Sequence, residues 1–193
     1  EQRHLQTSQG RKIFMVDLKI VDDDGKRLPE DGKSIGNLYI RGNTIAGGYY
    51  SNEEASKAAI DDEGYFGTGD VASIDEQGFL RLTDRAKDLI KSGGEWISSI
   101  DLENRAMSHP DVENCAVIAI PHEKWDERPL LVVVPAEGKK PSKEELIKHL
   151  EGHFAKWQMH DDVVYEDELP LTATGKVSKL TLRQKYENYT LAS

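Results

Sequence analysis

Alternating apolar positions open the readable part of the chain. In IFMVDLKIV, Val16, Leu18 and Ile20 fall on one face, the two-residue period of a half-buried strand. NLYIRG repeats the pattern with Leu38 and Ile40, and DDDGKRLPEDG between the two is turn chemistry. Asn52 is placed to cap a short helix over EEASKAAI, whose two leading glutamates suit the positive helix start. VASID and FLRLT flank Glu76-Gln77-Gly78, which predicts a hairpin. The first 84 or so residues therefore read as mostly β with one helix, and residues 1 to about 10, polar throughout, are expected to fray.

After Arg85 the rhythm changes. KDLIKS predicts a strand, and SIDLENRAMS a helix that ends before Pro110. NCAVIAI, from Cys115 on, and LLVVV are apolar at every position, as strands buried on both faces are. Ser142 and Glu145 form a capping box for a helix expected between Ser142 and Trp157. VVYE is a short strand, LPLTATGK a loop and LTLRQKYENY a closing helix. Strand-helix-strand-strand-helix-strand predicts an α+β layer with helices against one sheet. The fold class expected is α+β in two parts, a β-rich 1–84 and a small α+β 85–193, with the boundary between Asp84 and Lys87.

Composition narrows the partners. The chain has 193 residues, 37% hydrophobic and 31% charged, enough for one large domain or two small ones with an ordinary core. A formal net charge of -10 speaks against nucleic acid, since no basic excess is available to displace counterions. Local clusters can still bind a small anion. The single cysteine, Cys115, excludes an internal disulfide and, followed by AVIAI, reads as a buried thiol. No apolar stretch approaches bilayer length and EQRHLQTSQG is no signal peptide, so a cytoplasmic protein is expected. The first residue is not methionine, which suggests a piece of a longer chain.

Three clusters can carry chemistry. In GYFGTGD, Gly67 and Gly69 bracket Thr68 and present Asp70 at a turn; its carboxylate could accept hydrogen bonds from paired sugar hydroxyls or simply close the turn. In LTDRAKDLIKSGGEW, Arg85, Lys87 and Lys91 lead into the doublet Gly93-Gly94, where backbone can bend or approach a ligand closely. The alternative there is a solvated basic edge strand. In LPLTATGKVSK, Gly175 puts Lys176 at a loop tip, either as a solvated charge or as an ammonium lent to charge developing at phosphorus or a carboxylate. Pro170 and Val177 exclude a Walker loop. His149 and His153 lie one helical turn apart without an evident third ligand, so they read as a helix-surface pair and no metal site is assigned.

In this order, GNLYIRG with GGYY, GYFGTGD, DRAKDLIKSGGEWISSIDLE and LPLTATGKVSK resemble four successive motifs of the acyl-CoA synthetases of the adenylate-forming superfamily. The likeness runs from about Gly10 to Gln184, and KSGGEWISSIDLE with HEKWDERPLLVVV is most similar to the medium-chain fatty-acid and methylmercaptopropionate CoA ligases. The resemblance implies that 1–84 is the end of the large AMP-binding domain and 85–193 the mobile carboxyl-terminal domain. It implies that Asp70 and Arg85 bind the ribose of ATP, that Lys87 is the hinge and that Lys176 is the adenylation lysine. Lys91 to Glu95 would then take over for thioester formation, with Gly93, Gly94 and Glu95 against CoA. The implied cofactors are ATP, CoA and Mg2+, the last held mainly by a preceding domain supplied in cis, and the substrate is a small carboxylic acid.

Some expected pieces do not occur here. The Ser/Thr/Gly-rich phosphate loop, the aromatic-Gly-x-Thr-Glu segment and the acyl pocket are missing, Gly67 stands where many members have arginine, and Asp84 where many have glycine. The chain is accordingly expected to be the carboxyl-terminal third of an acid-thiol ligase of fatty acid metabolism, inactive alone. An adenylating enzyme with a carrier protein or another acceptor is the alternative, as is a non-catalytic nucleotide- or partner-binding module.

Overall fold

The structure, a computed structural model, describes residues 8–191; the fraying expected of the amino end falls mainly on residues 1–7, outside the described residues. The chain divides into two compact units, Glu1–Lys87 and Asp88–Ser193.

The first unit is built on a five-stranded antiparallel sheet in the order β1-β5-β4-β3-β2. Its strands are β1 (Gly10–Arg11), β2 (Val16–Val21), β3 (Gly36–Gly42), β4 (Phe66–Ile74) and β5 (Phe79–Arg85). Leu18, Ile20, Leu38, Ala72 and Ile74 form its core, so the alternation in β2 and β3 does mark the buried face. Helix α1 (Glu53–Ala59) begins where Asn52 accepts a hydrogen bond from the Ala55 N–H. β4 begins four residues before Asp70, so the GYFGTGD segment is largely strand rather than the turn its glycines suggest. The pairing of Phe66 and Gly67 with β3 supplies the reason, with the Tyr39 ring close on Gly67, where an added Cβ would come within 3.2 Å of it.

In the second unit β6 (Ile90–Ser92), β7 (Glu95–Ile97), β8 (Val112–His122), β9 (Asp126–Pro135) and β10 (Asp162–Tyr165) form a mixed sheet. β9 is its hub, antiparallel to β8 along its whole length and parallel to β10 through Leu130–Val133. Successive residues of β8 and β9 enter opposite cores, which is why both runs are apolar at every position. Cys115, Val117, Leu131 and Val133 pack with α2 (Ser99–Met107) and α3 (Lys143–Leu150) on one face. Ala116, Ile118, Leu130 and Val132 pack on the other with Leu182 of α4 (Lys179–Lys185). The helices thus cover both faces of the one sheet. α3 starts at the expected capping box but stops at Leu150, well short of Trp157; Gly152 follows at φ 79°, and Lys156–Gln158 form a single 3-10 turn.

Candidate functional site

In the first unit Asp70 and Arg85 are cross-strand partners in β4 and β5, joined by Arg85 Nε to Asp70 Oδ1 at 3.0 Å. A register shift beside Val71 lets Val71 pair with Asp84 and Ala72 with Leu82, and bulges of this kind re-aim neighbouring side chains. Gly69, at φ 74°, accepts from the Ala86 N–H, while Asp70 N–H donates to Thr68 Oγ1. Arg85 is largely exposed and Asp70 a quarter exposed, so an anionic acceptor and a planar cationic donor stand side by side at the surface. Lys87 lies in the turn after β5 as the last residue of the unit.

The glycine doublet is the turn of a two-residue hairpin. Ser92 pairs with Glu95 across it, and Gly93 and Gly94 have φ of 60° and 85°, both in the left-handed region that a type I′ turn demands. The two are not equivalent. A Cβ on Gly93 would lie 2.8 Å from the Trp125 ring, whereas one on Gly94 would meet nothing within 4 Å. Gly93 N–H also donates to the Trp125 carbonyl. Lys91, one residue before Ser92, donates its backbone N–H to Glu127 and carries its ammonium 4.9 Å from the Trp96 ring centre.

Beside this hairpin is a cavity of about 530 Å³ lined by Gly93, Glu95, Trp125, Arg128, Lys156 and Trp157 among others. The two tryptophans are 42% and 43% exposed, large apolar surfaces left open to a ligand. Arg128 is 6% exposed. Its Nε and Nη2 hold the Asp161 carboxylate as a fork, Nη1 donates to Ser92 Oγ and the Trp157 carbonyl, and Nη2 donates also to the Met159 carbonyl. Next to Asp161, His160 is buried with no partner for either ring nitrogen, and burial pushes its pKa down to about 4, with nearby Lys143 adding to the effect.

Lys176 sits on a different loop. Thr172 organises it: the Thr172 N–H donates to the Lys176 carbonyl at 2.7 Å, and Thr172 Oγ1 accepts from the Lys176 N–H at 3.2 Å. Gly175 supplies the φ of 78° that closes the turn. The Lys176 side chain is exposed. Two residues on, Ser178 caps α4, and Lys179 Nζ reaches back to Glu103 (2.7 Å) and Ser99 (2.6 Å) of α2. The structure therefore brings together Asp70 with Arg85 in the first unit, and Lys91 with the glycine hairpin in the second, where Lys176 stands on a turn of its own.

Sequence reasoning missed Arg128 and the Lys179–Glu103 tie, whose partners lie 33 and 76 residues away along the chain and leave no local signal. Cys115 is buried, its pKa pushed up to about 12 by desolvation with Glu103 adding to it, which makes it a packing residue. His149 bonds Ser108 at 2.9 Å and stacks edge-on against His109 rather than meeting His153. Among the described residues no three His, Cys, Asp or Glu side chains gather as a metal site would require.

Known proteins match this arrangement over nearly its whole length. Residues 101–176 match the AMP-binding enzyme C-terminal domain. A long-chain-fatty-acid–CoA ligase of Thermus thermophilus is 52% identical over 98% of the chain, and a 3-methylmercaptopropionyl-CoA ligase of Ruegeria lacuscaerulensis 51% identical over 97%. The chain spans about a third of the length of these relatives, 35% and 34%. Among solved structures, o-succinylbenzoate CoA synthetase of Bacillus subtilis with its acyl-adenylate intermediate is 29% identical at a TM-score of 0.85, over 94% of this chain and 36% of that one. An amide bond synthetase of Marinactinospora thermotolerans, 31% identical, covers 96% of this chain and 37% of its own at 0.82. Residues 101–176 belong to the AMP-binding enzyme C-terminal domain family, and the chain as a whole is similar to about a third of the length of these CoA ligases.

Proposed function

We propose that the chain is the carboxyl-terminal portion of an AMP-forming acid-thiol ligase, one that joins a carboxylic acid of the fatty-acid kind to CoA at the expense of ATP. The observation that carries this reading is a separation of equipment. The exposed Asp70–Arg85 pair precedes Lys87, and after it come two independently built turns, one offering Lys176 and the other a nearly side-chain-free backbone at Gly93-Gly94. The fatty-acid and methylmercaptopropionate relatives support the substrate class.

Asp70 accepts hydrogen bonds from the two ribose hydroxyls of ATP and Arg85 donates to the same sugar. A carboxylate oxygen of the acid attacks the α-phosphorus and pyrophosphate leaves. Lys176 neutralises the charge on the incoming carboxylate and the α-phosphate, the kind of fixed cation that lowers such a barrier most. Lys87 is the joint between the two steps. In the second step the CoA sulfur attacks the acyl carbonyl carbon, the carbon–oxygen bond to AMP breaks and the thiol proton passes to solvent. Gly93 and Gly94 admit the thiol arm close to backbone, Glu95 borders its path and Lys91 is the cation of this step. Mg2+ screens phosphates in such chemistry. The described residues do not fit as its holder, since no ligand cluster forms among them.

A preceding domain in cis supplies the acid pocket, so the chain alone does not adenylate. No helix among the described residues is long and apolar enough to cross a membrane, and we place the enzyme in the cytoplasm. The test is ATP–pyrophosphate exchange by the full-length enzyme against acids of graded chain length, followed by identification of the acylated product. Acid-dependent exchange and an acyl-CoA are expected. The likeness to an amide bond synthetase makes the acceptor the sharper half of the test: acyl transfer only to an amine or a carrier protein would overturn the thiol assignment.

A further inference from the structure

We propose that Arg128 is a positioning residue for thioester formation: its guanidinium ties the glycine hairpin to the segment bearing Trp157 and so fixes the mouth through which the acceptor reaches that hairpin. This rests on reading the chain as part of a CoA ligase.

The five N–H donors of a guanidinium form a rigid planar fork. In Arg128 all five are engaged, at 2.5 to 3.1 Å, with Asp161, Ser92 and the carbonyls of Trp157 and Met159. No donor remains for a ligand, although the residue lines the cavity. Its contribution is therefore geometric.

The geometry needs such a tie. The β6–β9 ladder is the single pair Ser92 opposite Asp126, backed by the Lys91 N–H on the Glu127 carboxylate, and Asp126 itself has a positive φ of 63°. The stretch from Trp157 to Asp161 has one short 3-10 turn and, before β10, a single backbone bond to the sheet, from the Asp161 N–H to the Pro129 carbonyl. Each anchor borders a wall of the cavity. Ser92 precedes Gly93, against which the Trp125 ring packs; the Trp157 carbonyl belongs to the residue whose indole faces that cavity. One side chain thus sets the spacing of the two indoles and the pose of the hairpin between them.

A purely structural ion pair would be replaceable by packed apolar side chains. A fork that orients two walls is not, because lysine keeps the charge and loses the geometry. The full-length enzyme with Arg128→Lys, Arg128→Met or Asp161→Asn separates these cases. The readouts are the pyrophosphate-exchange rate, kcat and KM for CoA in the thioester step, and the thermal midpoint.

Arg128→Lys should raise the KM for CoA about tenfold or more, the scale of one to two lost charge-assisted bonds, while exchange stays within about twofold. Asp161→Asn should move the same way by less, and intact exchange certifies that the unit bearing Lys176 is folded in each variant. A parallel fall of both steps together with the midpoint would reduce Arg128 to a structural tie and overturn the proposal. So would an unchanged KM for CoA. If the wild-type enzyme makes no acyl-CoA at all, the ligase reading itself fails, an outcome distinct from either.

Discussion

Two glycine-dependent turns lie in the same unit and are stabilised in opposite ways. The Gly93-Gly94 hairpin is gripped from outside: Trp125 packs on one glycine, Glu127 takes the Lys91 N–H and Arg128 holds Ser92. The turn that carries Lys176 is held by its own Thr172 and by the bridge from Leu171 to Val177, and Lys179 just beyond it ties outward to Glu103 and Ser99. A turn clamped by remote partners has one shape and suits a surface that must receive a ligand. A self-contained turn can present one ammonium wherever its unit carries it. The difference teaches that the two steps of the proposed reaction draw on separable pieces of structure.

The largest expected effect is on the Lys176 side. Lys176→Ala should slow adenylate formation by about 100- to 1,000-fold, as removal of one fixed transition-state charge does, without moving the thermal midpoint, since the side chain is exposed. On the hairpin side the cost should appear in stability instead. Gly93→Ala combines a clash with Trp125 and a left-handed backbone, about 3 kcal/mol by urea titration. A loss below about 1 kcal/mol would mean that Trp125 does not grip the turn.

Acid should loosen the same side. His160 is buried neutral, with a folded pKa of about 4 against an ordinary value near 6.5. Between those values the unfolded chain binds the extra proton, so the stability His160 contributes is complete above about pH 6.5 and is lost as pH falls toward 4. The loss should reach at most about 3 kcal/mol, and His160→Phe should flatten that part of the pH profile. The smallest effects complete the contrast. Gly94→Ala, with strain but no clash, should cost about 1 kcal/mol, and Thr172→Val about the same or less because the lost bond is solvent-exposed.

How far these features were legible in the sequence depends on the range of the interactions that make them. Asn52 and the Ser142–Glu145 box are contacts within three residues, and all three hydrogen bonds form as the local pattern demands. The apolar runs of β8 and β9 are equally direct, because burial on both faces erases alternation. Asp70 was legible as a candidate but not as a strand residue, since pairing with β3 and β5 makes strand out of so glycine-rich a segment. β6 and β7 have three residues each, too few for a period, so Gly93-Gly94 read as a loop rather than as a hairpin turn. Arg128 lay beyond reach: its partners are scattered from Ser92 to Asp161, and a charged residue ahead of an apolar run gives no hint that it will be buried.

The central claim is that Lys176 and the glycine hairpin serve different steps. The direct measurement is single-turnover kinetics of both half-reactions in the full-length enzyme carrying Lys176→Ala or Gly94→Val. The account predicts crossed losses: the lysine variant fails to form adenylate yet passes a supplied acyl-adenylate to CoA at close to the wild-type rate, and the glycine variant does the reverse. Equal losses of both steps in either variant would contradict it.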